Sequence, residues 1–89
     1  MAWRVEFSKT GERDLGALDR SERREIIERI EWFAENFEHV TPLPLHAEGH
    51  GFFKLRVGDW RIIYRFDQRE SLIAVHVIGH RSKIYKRRR

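Results

Sequence analysis

Five basic side chains in the second half of the chain could act as one group: Lys54, Arg56, Arg61, Arg65 and His76. Such a set suits the gripping of phosphate. Arginine offers paired N–H donors in a planar fork, and lysine offers a compact point charge. Whether they act together depends on the elements that carry them. Gly58-Asp59 separates two alternating runs, Phe52 to Val57 and Trp60 to Phe66, which is the pattern of a two-residue β-hairpin. With that turn, Val57 faces Trp60, Arg56 faces Arg61, Leu55 faces Ile62 and Phe53 faces Tyr64. Side chains alternate across a sheet, so Phe53, Leu55, Val57, Trp60, Ile62, Tyr64 and Phe66 share one face. Ile73, Val75 and Val77 of a third strand, Leu72 to Ile78, extend it. The opposite face carries Lys54, Arg56, Arg61, Arg65, His76 and His80, with Phe52, Ile63, Leu72 and Ala74 among them.

Arg56 opposite Arg61 is the informative pair. Like charges facing each other across a ladder destabilise by roughly 0.2–1 kcal/mol. An anion between them removes that cost; two arginines splayed into solvent are the alternative. The clustering of Lys54, Arg56, Arg61 and His76 on one face favours the anion. Apolar and aromatic neighbours suit a nucleic acid, whose bases need planes to lie against.

The charge distribution agrees. Residues 1–50 hold 7 Lys and Arg against 11 Asp and Glu, whereas residues 51–89 hold 11 against 3. A net charge of +4 therefore hides a one-sided footprint. The basic run Lys86 to Arg89 supplies part of it, but Lys54, Arg56, Arg61, Arg65, Arg69, Arg81 and Lys83 remain. The chain has 89 residues and no cysteine, which bounds it to one domain, 1–89 with a basic tail at 86–89, and excludes disulfides and thiolate chemistry. No apolar run is long enough to span a bilayer and no signal-peptide pattern opens the chain, so a cytoplasmic protein without membrane contact is expected. Among the five histidines, His46 and His50 are four apart but lie in a Pro/Gly segment rather than a helix, which reads as surface and not as a metal site.

Upstream elements must cover the greasy face. Trp3 to Phe7 alternates as a short strand. Ser8 can cap a first helix carrying Leu15 and Leu18, although Gly11 and Gly16 weaken it by about 1 kcal/mol each. Asp19 or Ser21 caps a longer helix, with Ile26, Ile27, Ile30, Phe33, Ala34 and Phe37 as its apolar stripe. Thr41 to Gly51, broken by Pro42 and Pro44, reads as a loop. The expected fold class is α+β: an N-terminal strand, a two-helix hairpin and a three-stranded antiparallel meander, forming one mainly antiparallel sheet with helices on one face.

The stretch Phe53-Lys-Leu-Arg-Val-Gly-Asp-Trp-Arg-Ile-Ile-Tyr64 and the ending Val77-Ile-Gly-His-Arg-Ser-Lys-Ile-Tyr85 resemble the RelE/ParE toxin superfamily, nearest its RelE branch. The opening Trp3-Arg-Val-Glu-Phe-Ser8 and the Leu18-Asp19 hinge are similar to the same family, so the resemblance covers essentially the whole chain. It implies the toxin of a type II toxin–antitoxin pair. RelE toxins cleave mRNA in the ribosomal A site, while ParE relatives inhibit DNA gyrase; a folded but inactive relative that only binds an antitoxin or RNA is the third alternative. Position by position, the resemblance implies catalytic roles for Lys54, Arg61, Arg81 and Tyr85, and Arg56, Arg65, His76, His80 and Lys83 are expected to bind RNA around them. Phe52 stands where the best-known RelE pattern has a second lysine. The implied reaction is attack of the RNA 2′-hydroxyl on the adjacent phosphate, with Lys54 as base, Arg61 and Arg81 on the phosphate oxygens and Tyr85 stacking on a base. It needs no metal or other cofactor. The implied partners are mRNA on the ribosome and a cognate acidic antitoxin covering the basic face.

Overall fold

The computed structural model describes residues 2–46 and 51–84. Tyr85, the tail 86–89 and His50 lie outside the described residues. In chain order the elements are β1 (Arg4–Phe7), α1 (Lys9–Gly16), α2 (Arg20–Glu35), a 3₁₀ turn (Phe37–His39), β2 (Leu43–Pro44), β3 (Phe53–Val57), β4 (Trp60–Asp67) and β5 (Leu72–His80). They form one five-stranded sheet in the order β1-β5-β4-β3-β2, antiparallel except that β1 runs parallel to β5. The expected class holds. The expected loop contains one addition, since Leu43 and Pro44 pair with Lys54 and Phe53 as a fifth strand. Pro44 is tolerated there because β2 is an edge strand.

Both helices start on their expected caps. The Ser8 hydroxyl accepts from the Gly11 N–H, and the Asp19 carboxylate accepts from the Glu22 N–H at 2.8 Å. The α2 stripe then seats Ile26 and Ile30 on Val57, Ile62, Val75 and Ile78. Further along, Phe33, Ala34 and Phe37 pack with Trp3, Tyr64 and Ile73. Tyr64 is inside the aromatic part of this core, 1% exposed, and burial pushes its phenol well above the usual range. Ile27, assigned to the stripe, stands at its margin and remains 36% exposed.

The hairpin register is the expected one, with Arg56 opposite Arg61 and Val57 opposite Trp60. The register between β4 and β5 is not. Ile63 pairs with Val77, but the next residue, Tyr64, pairs with Val75, so His76 is an extra residue in β5. Such a bulge reverses the parity of everything beyond it. Val77, expected on the helix-covered face, packs on the opposite one with Leu45, Ile63 and Ile84. Ile78 takes its place against α2. His80, expected on the basic face, pairs with Trp60 and meets its ring edge-on at 5.5 Å.

A bulge leaves backbone groups without ladder partners, and the segment from Ser8 to Asp14 supplies them. The Ser8 N–H donates to the Val75 carbonyl at 2.9 Å, the Ser8 hydroxyl donates to the His76 carbonyl, and the Asp14 carboxylate accepts from the Ile78 N–H at 2.9 Å. The close approach also explains Gly11 in a helix. A Cβ there would lie 3.0 Å from the Val75 carbonyl oxygen and 3.3 Å from that of His76.

After β5 the chain turns sharply. The N–H groups of Lys83 and Ile84 both donate to the His80 carbonyl, which folds Ile84 back onto Gly79 and buries it completely. A Cβ at Gly79 would fall 2.7 Å from Ile84 Cδ1 and 3.4 Å from its Cβ.

Two stability predictions follow from this arrangement. Ser8→Ala removes the α1 cap and the bond to His76, and should cost about 1–2 kcal/mol in urea unfolding without a change in slope. Gly79→Ala should leave the sheet folded but lose about 1 kcal/mol or more, because Ile84 has to move away from a position with no free volume.

Candidate nucleic-acid interface

The sheet face turned away from the helices is basic at its rim and apolar at its centre. Leu45 reaches over from β2 and Ile84 from the C-terminal turn to cover Ile63 and Val77, with Phe52 alongside. The cations stand around this small second core. The sequence pattern places Ile63 among the charges but gives no sign that a loop and a turn would close over it. That contact joins segments 39 residues apart.

Lys54 holds the middle position. It pairs with Ile63, so Arg61 and Arg65, two residues either side on β4, are its diagonal neighbours. Cβ atoms in that relation are about 7–8 Å apart, within reach for long side chains. Arg56 is directly opposite Arg61. The like-charge cost of that pair is lowered within the protein itself. Arg61 Nη1 donates to the carbonyls of Gly58 and Trp60, both at 2.9 Å. Arg56 lines a crevice beside α2 that also contains Glu25 and Glu28. Among the described residues, none of Lys54, Arg56, Arg61 and Arg65 forms an ion pair with a carboxylate.

Arg81 is placed differently. Its N–H donates to the Asp59 carbonyl at 2.8 Å, and its Nε lies 3.6 Å from the Asp59 carboxylate. The hairpin turn thus ties down the end of β5 and brings Arg81 to the same end of the sheet as Arg61. Both partners are more than half exposed, so the ion pair contributes little to stability. It does occupy a guanidinium that would otherwise be open to an anion. Sequence reasoning treated Asp59 only as a turn residue.

At the other end of the face, Arg65 and His76 converge on Phe52. The Arg65 guanidinium lies 5.0 Å over the Phe52 ring centroid, and the His76 ring is 5.2 Å from it. His76 keeps its expected outward position as the bulge residue, and its own carbonyl is held by Ser8. Lys83 is exposed on the C-terminal turn. His80 is not part of the face. Its Nδ1 accepts from the Ser82 N–H at 3.2 Å and lies 2.9 Å from the Ser82 hydroxyl, so the ring braces the turn that carries Ile84. The structure therefore sets Lys54, Arg56, Arg61, Arg65 and His76 on the face turned away from the helices, ties Arg81 to the hairpin turn at one end of that sheet, and sets His80 apart. Tyr85 follows Ile84 directly but lies outside the described residues.

The Asp59–Arg81 contact makes a direct prediction. Asp59→Asn should leave stability within about 0.5 kcal/mol of wild type, since the pair is exposed. It should tighten binding of single-stranded RNA measured by fluorescence anisotropy at low salt. An unchanged or weaker affinity would show that Arg81 does not meet the anion.

Comparison with known proteins finds relatives of the same fold. The family model described as the ParE toxin of type II toxin–antitoxin systems, parDE, matches residues 5–85. Toxin RelG of Mycobacterium tuberculosis is 32% identical over 91 residues, spanning 98% of this chain and 100% of that protein. Among solved structures, the toxin–antitoxin complex RelBE2 of Mycobacterium tuberculosis superposes with a TM-score of 0.78 at 26% identity, covering 90% of this chain and 99% of the matched one. The isolated RelE toxin of E. coli shares the fold at a TM-score of 0.74 and 14% identity, covering 99% of this chain and 100% of that one.

Proposed function

This chain belongs to the RelE/ParE superfamily as a toxin of a type II toxin–antitoxin system, and on that premise we propose that it is a metal-independent mRNA endonuclease acting on ribosome-bound message in the cytoplasm. The observation that carries the proposal is the position of Lys54, diagonal to both Arg61 and Arg65 on a face where, among the described residues, Lys54, Arg56, Arg61 and Arg65 form no ion pair with a carboxylate. Cleavage by 2′-hydroxyl attack needs a proton acceptor beside the sugar and fixed positive charge on the phosphate as it becomes pentavalent. Lys54, in its neutral amine form, accepts the 2′-hydroxyl proton, and the 5′-oxygen leaves as a hydroxyl by taking a proton from water. Arg61 and Arg81 hold the phosphate oxygens from the turn end of the sheet, with paired N–H donors suited to that geometry. Tyr85 stacks on a neighbouring base. Arg56, Arg65, His76 and Lys83 hold the flanking chain. His80 acts indirectly, by bracing the turn between Arg81 and Tyr85. Products are a 2′,3′-cyclic phosphate end and a 5′-hydroxyl end, so no external nucleophile is consumed.

The same charge implies an acidic antitoxin. A basic face left uncovered would bind RNA continuously, and an acidic segment with apolar side chains would satisfy both the rim and the Leu45–Ile84 centre. The RelBE2 relative forms a toxin–antitoxin complex, which supports such a partner.

A second reading has one observation in its favour: the matching family model is that of the ParE toxin. On that reading the protein inhibits DNA gyrase by binding and performs no catalysis.

Induced expression followed by primer extension on cellular mRNA separates the two. Discrete cuts should appear in wild type and fall by about 100-fold or more in Arg61→Ala, the scale for losing one preorganised charge contact. Growth arrest with intact transcripts, together with gyrase in the purified complex, would overturn the nuclease. RNA affinity should decline with log salt at a slope of about −0.7 per phosphate neutralised.

A further inference from the structure

Phe52 stands at a position where a second cation was expected, yet the surface around it is not simply less charged. Three planar groups meet there. The Arg65 guanidinium lies over the Phe52 ring, the His76 imidazole approaches the same ring at 5.2 Å with a 39° tilt, and both of these partners are exposed while Phe52 is half-buried. Each is held from a different direction. Phe52 leans on the second apolar core and its carbonyl accepts from the Leu45 N–H at 2.9 Å. His76 is the bulge residue, its backbone clamped by Ser8. Arg65 rises from β4 opposite Ala74, with its guanidinium carbon 5.0 Å from the Phe52 ring centroid. A guanidinium held in this way presents a plane as well as a charge.

We propose that Phe52, Arg65 and His76 form a nucleobase platform, on which one base of the RNA beside the scissile phosphate lies flat. This rests on the reading of the face as an RNA site and adds to it a specificity-determining element. Lys54 is the shared neighbour: Arg65 is diagonal to it on one side and Arg61 on the other. A phosphate held between Lys54 and Arg61 therefore leaves the adjoining nucleotide extended toward Phe52. Base–aromatic stacking favours single-stranded RNA and tolerates several bases, whereas Arg and His edges can distinguish among them by hydrogen bonding. An acidic peptide would use the Arg65 charge but has no need of three assembled planes. Phenylalanine at this position offers a plane in place of a charge, so that the site holds its substrate by the base at this end and by the phosphate at the other.

The test measures binding and not cleavage. Hexamers of 2′-O-methyl RNA, which lack the nucleophile, are titrated against the purified full-length protein, each with one abasic position in turn. For wild type, one position should show an abasic penalty of about tenfold. Phe52→Trp should keep that penalty. Phe52→Leu should abolish it, because the intact and abasic oligomers then bind alike. Arg65→Lys, which keeps charge and loses the plane, should also abolish it. Thermal unfolding confirms that the variants are folded. No abasic penalty at any position in wild type, a full penalty persisting in Phe52→Leu, or a full penalty persisting in Arg65→Lys would each overturn the platform. Failure of the nuclease reading is separately visible: unmodified RNA would remain uncut while the abasic penalty stood. Loss of the penalty with cleavage intact would remove the platform alone.

Discussion

An extra residue in a central strand leaves backbone groups that the ladder cannot serve, and each buried one left unpaired would cost about 1–3 kcal/mol. In β5 that residue is His76, and the groups at stake are its own carbonyl and the Ile78 N–H. Ser8 and Asp14 take them up, so α1 is bound to the sheet by directed bonds as well as by apolar contact. Gly11 permits the approach. The first helix is short and carries two glycines, which would make it marginal in isolation. Its position over the bulge is what fixes it, and in return it fixes the bulge.

The change of parity at His76 builds the surface that faces away from the helices. Val77 joins Ile63 beneath Leu45 and Ile84, giving this small domain a second apolar centre. A uniformly basic sheet face would be wet and its long side chains free to wander. With a packed centre, Leu45 after β2 and Ile84 after β5 are both held on the sheet, and the cations of β3 and β4 stand around them. Gly79 and His80 serve the same end, one by yielding space to Ile84 and the other by bracing the turn through Ser82. Arg81 is anchored at this point by the Asp59 contact, so the hairpin turn and the turn after β5 are tied together.

Like charges at Arg56 and Arg61 illustrate how a functional surface is tolerated. Two carbonyls solvate Arg61, and acidic residues of α2 stand near Arg56. Part of the acidic half of the sequence, Glu25 and Glu28 on α2, shares a crevice with Arg29 of the same helix and Arg56 of the basic half. The toxin can then present its cations in a folded state without a partner, while a polyanion still gains by meeting the basic groups that, among the described residues, form no ion pair.

Most of the architecture was legible before any coordinates. Alternation and one two-residue turn fixed the pairing of Arg56 with Arg61, and the capping residues Ser8 and Asp19 marked where both helices begin, because these signals are local and their physics is short-range. The family was readable from the hairpin and the ending at Tyr85 for the same reason. Strict alternation failed at His76, since nothing within β5 announces a bulge; its stabilising bonds come from Ser8 and Asp14, more than 60 residues away. The assignments of Val77 and His80 failed with it. The ion pair of Arg81 with Asp59, the covering of Ile63 by Leu45 and Ile84, and the meeting of Arg65, Phe52 and His76 were likewise decided only in three dimensions. Each depends on where a loop or turn comes to rest on the sheet, and that is set by packing between distant segments rather than by the pattern within any one of them.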